Sequence, residues 1–230
     1  MVRLFQLIRA PLPFFLFLVM IPASAPAQRI VDKNKGDHFQ TKKGFMDGNL
    51  AQTVYYNFGE VADWLNVPTL SGVWPKGSGH TYLDGVAIIV QAETTTPAGK
   101  KIHPLETNYY EYTRHDPATG VTYGWWPLPG YFNPFQSSPA QSNNPITWPK
   151  HWPDRPPDWD HFWNGFFGKG VQNADLETYF VFDDHEDREY ILKHNFHPDR
   201  ADPNRGGLGM QVRAPKNISC MIRIFCYIST

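Results

Sequence analysis

Two cysteines, Cys220 and Cys226, are all that the 230 residues contain. A disulfide framework of the kind that staples small secreted domains cannot be built from them. Six residues apart in one continuous strand, they would share a face and sit too far apart to bond. An internal bridge needs the segment to turn back on itself; free or intermolecularly paired thiols are the other readings. Charge of one sign is also scarce, with 21 Lys and Arg against 22 Asp and Glu. No basic stripe occurs, which argues against nucleic acid as a partner. Past residue 27, no apolar run reaches the roughly 20 residues a membrane helix needs. There is no Gly-x-Ser-x-Gly elbow and no phosphate-binding loop. Gly77-Ser78-Gly79 reads as a turn only.

What the chain does have begins at its start. Arg3 and Arg9 precede an apolar core, Pro11 to Ile21, and Ala25-Pro26-Ala27 offers small residues at the two positions a signal peptidase reads. Residues 1–27 are therefore expected to be an export signal, cleaved before Gln28, and the protein to be secreted or at the cell surface. The remaining 203 residues carry 19 of the basic and all 22 of the acidic residues, a net of −3. That length gives one large domain or two small ones.

Aromatics are abundant: 8 Trp, 11 Tyr and 16 Phe, beside 21 Pro and 18 Gly. The mixture suits a turn-rich β protein. Residues 28–48 are polar and are expected to be a flexible or loosely docked lead-in. A β-rich domain is expected over 49–213, with an atypical tail over 214–230.

Asn49 to Phe58 alternates as a half-buried strand does, with Gly59 ending it. Residues 68–85 form a loop, with Trp74 and Tyr82 expected to order it. Gly85 to Thr94, the most apolar stretch, predicts a central strand buried on both faces. Glu106 to Arg114 and Val121 to Trp126 flank His115 to Gly120 and predict a hairpin. Nine prolines between Pro127 and Pro157 leave no period in 127–175. Its aromatic load predicts an ordered meander over the sheet, with one helical turn in 158–167. Leu176 to Phe182 predicts a strand with Leu176, Thr178, Phe180 and Phe182 on one face and Glu177, Tyr179 and Val181 on the other. The turn Asp183 to Asp187 and the return Arg188 to Leu192 predict a second hairpin. Gly207 to Arg213 is a short strand and Ile218 to Ile228 an apolar run.

Two groups carry candidate chemistry. Trp148, Trp152, Trp159 and Trp163 are the kind of rigid rings that stack on sugar faces, and equally the anchors a long loop needs for its own core. Asp183, Asp184, Glu186 and Asp187 supply the clustered carboxylates that calcium takes, although their spacing matches no EF-hand loop. A solvated hairpin tip explains the same residues. His194 and His197, with His185 nearby, could serve zinc only with three or four ligands at a defined geometry; lying in a polar loop before Pro198, they read as solvent-exposed. Asn217-Ile218-Ser219 fits an N-glycosylation acceptor.

Four stretches, Trp74 to Glu93, Trp125 to Tyr131, Ala174 to Tyr190 and Arg205 to Val212, together resemble the amino-terminal region of large exported bacterial proteins of no assigned activity. The resemblance covers Asn49 to Arg213. It implies a β-rich region followed by fibronectin-type-III-like modules and a carboxy-terminal sorting domain, and it transfers no residue role. The pattern lapses at Ala214, which reads as truncation or a frameshift within a longer protein.

The expectation is a mainly β, antiparallel, sandwich-like sheet with minor helix and a long Pro/Trp-rich loop over one face. The expected role is a non-enzymatic exported surface or binding module, a fragment of a larger secreted protein, holding a glycan or neighbouring domains of its parent chain. The alternatives are a fragment of an extracellular carbohydrate-active enzyme, with acids in 183–189 and at Asp158 and Asp160, and a purely structural domain. No cofactor is expected other than calcium at the acidic turn.

Overall fold

In a computed structural model the structure describes residues 33–96, 98–103, 105–109 and 124–187, and three further strands by their backbone within 210–228. The chain is mainly β. In order, the strands are β1 (Lys43–Met46), β2 (Thr53–Tyr56), β3 (Ile89–Gln91), β4 (Thr94–Thr95), β5 (Lys101–Ile102), β6 (Leu105–Thr107) and β7 (Trp126–Pro127). They continue as β8 (Ala140–Gln141), β9 (Asn164–Gly165), β10 (Gly168–Lys169), β11 (Glu177–Asp183), β12 (Met210–Asn217), β13 (Met221–Ile222) and β14 (Phe225–Ile228). All pairings among them are antiparallel. Helix is confined, among the described residues, to 3-10 turns such as Pro129–Tyr131 and Pro157–Trp159. No helix of the described residues is long and apolar enough to cross a membrane.

Strand β11 is the axis of the fold. Strand β12 pairs along all of it, from Glu177 opposite Asn217 to Asp183 opposite Gln211. Its other edge is taken by β8 at Thr178 and Tyr179 and by β7 at Phe182 and Asp183. Every residue of β11 is buried. Period-2 alternation then sends its side chains into two different cores. Phe180 and Phe182 join Phe58, Ile88 and Trp125. Tyr179 and Val181 join Leu128, Tyr131, Phe132, Ala140, Trp152 and Trp163. The expected two faces of this strand are thus both covered, one by the 58–125 region and one by the Pro/Trp-rich loop. A third cluster, Met46, Tyr55 and Leu176, closes the end of β11 against β1 and β2.

Several local expectations are corrected. The lead-in is docked: residues 33–48 hold a 3-10 turn at His38–Gln40 and strand β1, which pairs with β2. Gly36 donates its N–H to Asp183 and Asp37 to the Pro127 carbonyl. Polar composition suggested looseness, but backbone hydrogen bonds to distant partners order the segment. The Asn49–Phe58 strand shortens to Thr53–Tyr56, and a turn in which Gly59 N–H meets the Tyr56 carbonyl ends it. Strand β3, expected at the centre, pairs only with β6 among the described residues and leaves Ile89 62% exposed. An apolar run fixes a strand's type and not its place in a sheet. The 68–85 loop is ordered by buried Ser71 and Val73, while Trp74 and Tyr82 face outward. Strand β12 runs through Ala214 to Asn217 and then meets β13 and β14. Cys226 lies in β14 opposite Val212. Residues 1–32, the 115–120 hairpin tip, the 188–192 return, His194, His197 and Cys220 lie outside the described residues.

Candidate functional site

The loop tryptophans are brought together, two of them as core and two packed half-buried against it. Trp152 and Trp163 are 1% and 3% exposed, and Trp148 and Trp159 pack half-buried against them. Trp163 meets Trp152 edge-on at 85° and Trp148 at 44°, so the rings share no plane. Three of the indole N–H groups are spent inside the fold, two on the loop itself and one on β11. Trp152 donates to the Phe162 carbonyl at 3.0 Å, Trp148 to the Gln141 carbonyl at 2.6 Å and Trp163 to Glu177 Oε2 at 2.7 Å. The fourth ring, Trp159, is covered by the Arg155 guanidinium 4.4 Å above it. Trp152 and Trp163 thus anchor the Pro-rich meander, and Trp148 and Trp159 keep part of their rings at its surface. Prolines set the 3-10 turns at Pro145–Thr147 and Pro157–Trp159 that aim the rings inward.

The acids near this loop are also engaged. Asp158 pairs with Lys169 at 3.0 Å and Asp160 with His151 at 2.8 Å, both at the surface. Asp154 accepts from Tyr179 Oη and from Asn164, which in turn accepts from Arg155.

The acidic turn after β11 is not a solvated tip. Asp183, Asp184 and Asp187 are buried, and Glu186 is the member that reaches solvent. The amino-terminal segment lies against it. Asp183 Oδ1 accepts from the N–H of Gly36 at 2.9 Å and of His185 at 3.1 Å. A Cβ at Gly36 would collide with that carboxylate and come within 2.7 Å of the Trp126 carbonyl, so only glycine allows the approach. Glu186 Oε2 accepts from the His38 N–H at 3.0 Å and lies 2.6 Å from His38 Nδ1. Asp37, His38 and Glu186 each present one ligand atom within 4.8 Å of the others. Glu186 is a residue the sequence singles out; Asp37 and His38 are not. No local pattern marks them, because their partner is 148 residues away.

Sequence reasoning also placed the surface aromatics wrongly. Val73 is bridged to Gln52 on one side and to Thr81 on the other. Trp74 follows Val73 and Tyr82 follows Thr81, so the two aromatics flank this bridge. Val73 itself is buried. Trp74 and Tyr82 stand 56% and 65% exposed, and the Trp74 N–H donates to the carbonyl of exposed His80 at 3.1 Å. Trp64, half exposed, donates its N–H to the Asp84 carbonyl at 2.8 Å. Near β1 and β11, a cavity of about 10 Å³ is lined by Met46, Asn49, Ala51 and Leu176. It has room for about one water molecule.

The fold and these sites define the class: a mainly β, antiparallel protein with two aromatic cores on one shared strand. Comparison of the chain with protein-family models, with curated proteins and with solved structures gives no match.

Proposed function

We propose that the chain is a non-enzymatic exported surface module of a larger secreted protein, and that it binds a glycan through outward aromatics. The observation that carries this reading is the exposure of Trp74 and Tyr82, the residues that follow the bridged Val73 and Thr81. Rigid rings held from beneath by a buried residue lose little conformational freedom on binding, and they offer sugar faces apolar area beside polar groups. His80 and Lys76, the latter paired with Asp47 of the β1–β2 connection, supply those polar groups. Export rests on the residue pattern of 1–27. On this reading the binding surface is Trp74 and Tyr82 and not the buried loop tryptophans Trp152 and Trp163.

The second reading is a purely structural domain, favoured by the burial of Trp152 and Trp163. The two separate in one experiment. The full chain and its Trp74→Ala and Tyr82→Ala variants are titrated with a panel of soluble polysaccharides while tryptophan emission is followed. Emission that changes with one glycan, and no longer does so in the variants, supports binding. Emission indifferent to every glycan leaves the structural reading.

A further inference from the structure

We propose that Asp37, His38 and Glu186 bind a divalent transition-metal ion of the zinc class. The ion would tie the amino-terminal segment to the turn after β11. The inference is independent of the glycan-binding face, which lies elsewhere on the chain.

The donor set is one imidazole nitrogen and two carboxylate oxygens. Zinc takes such sets, whereas calcium and magnesium prefer oxygen alone. Ligand atoms around a tetrahedral zinc stand roughly 3.3 Å apart. Here they lie within 4.8 Å of one another, and the His38 Nδ1 to Glu186 Oε2 separation is 2.6 Å. Binding therefore has to spread the His38–Glu186 pair by about 0.7 Å and bring all three ligand atoms to that common spacing. The His38 and Glu186 side chains are 42% and 25% exposed and have room for that adjustment. Asp37 is buried, and its Oδ1 is oriented by the Phe39 N–H at 2.9 Å. The His38 N–H orients Glu186 in the same way. Such outer hydrogen bonds aim ligands at a metal. The His38 ring itself is confined by Phe39 at 3.9 Å and by the edge of Trp126 at 5.8 Å. Three protein ligands leave a fourth position for water, reached from the exposed side of His38 and Glu186.

The test is a zinc titration of the metal-free full chain against a chromophoric chelator, with cobalt(II) added in parallel while tryptophan emission is read. Expected are one zinc per chain and cobalt quenching of part of the emission, with Trp126 as the nearby reporter. His38→Ala and Glu186→Gln should each weaken zinc at least as much as loss of an outer-shell partner does, roughly 10- to 100-fold. Calcium at the same concentration should compete with neither ion. The cobalt measurement on the unaltered chain decides the matter even if a variant fails to fold. No stoichiometric zinc, zinc binding that survives both substitutions, cobalt binding without quenching, or calcium bound in preference to zinc would each overturn the proposal.

Discussion

The indole of Trp163 donates its Nε1–H to Glu177 Oε2 across 2.7 Å, and both residues are buried. The other carboxylate oxygen, Oε1, accepts from the Asn173 N–H at 2.6 Å. This one side chain of β11 therefore fastens the Pro/Trp-rich meander at two points. Trp163→Phe keeps most of the apolar volume but leaves a buried carboxylate short of a donor. The expected loss is about 1–3 kcal/mol. Urea unfolding of the variant against the parent chain measures it; an unchanged midpoint would mean that the bond contributes nothing.

Tyr55 is buried between β1 and the start of β11, and burial pushes its phenol up to about 12. Its hydroxyl makes no bond of normal geometry, and the nearby Thr178 and Gln141 side chains offset the burial only in part. The unfolded phenol titrates near 10, so between about pH 10 and 12 the unfolded chain has lost a proton that the folded chain keeps. Stability from this group is full below pH 10 and drains away as pH rises toward 12, by about 2–3 kcal/mol in total. Tyr55→Phe should abolish that drain while costing little at neutral pH. Parallel unfolding curves of the two proteins at pH 9 and pH 11.5 give the answer, and equal alkaline losses would refute it.

Legibility in the sequence followed the range of the physics involved. The two faces of β11 could be read because alternation is local: Phe180 and Phe182 enter one core, Tyr179 and Val181 the other. The ordered meander could be read because its aromatics had to be buried somewhere. Which tryptophans were core could not. Trp152 and Trp74 both sit in Pro-rich surroundings, and only the tertiary contacts of Phe162 and Tyr179 separate the buried ring from the exposed one. The docked lead-in was hidden for the same reason. Its hydrogen bonds run to Asp183 and Glu186, about 150 residues away, and no periodicity in a polar stretch announces them.

Gly59 turns the chain out of β2 with φ +102°, a conformation L side chains rarely adopt. A Cβ there would lie 2.9 Å from Phe182 Cζ and 3.2 Å from Ile88 Cδ1, both in the core. Gly59→Ala therefore adds backbone strain to overpacking, for an expected loss of about 2–4 kcal/mol. Phe135→Ala, at a side chain 91% exposed, should fall within about 0.5 kcal/mol of the parent. Thermal unfolding of the pair checks both at once, and similar melting temperatures would show that the β2 turn tolerates a side chain.

Lys42 gives an alkaline effect of the opposite sign to that of Tyr55. Its ammonium lies 5.1 Å above the Phe132 ring and donates to the carbonyls of Pro134 and Gln136. Partial burial lowers its pKa below the usual 10.5. In the interval just under 10.5 the unfolded chain therefore keeps a proton that the folded chain has lost, and stability rises with pH there. Lys42→Met removes the titration but also strips two carbonyls of their donor, so at neutral pH it should be the less stable protein. The gap between the parent and Lys42→Met should then widen as pH climbs toward 10.5. Measuring it in a Tyr55→Phe background keeps the two effects apart. A gap that stays constant with pH would mean that the Lys42 ammonium is as well solvated in the folded chain as in the unfolded one.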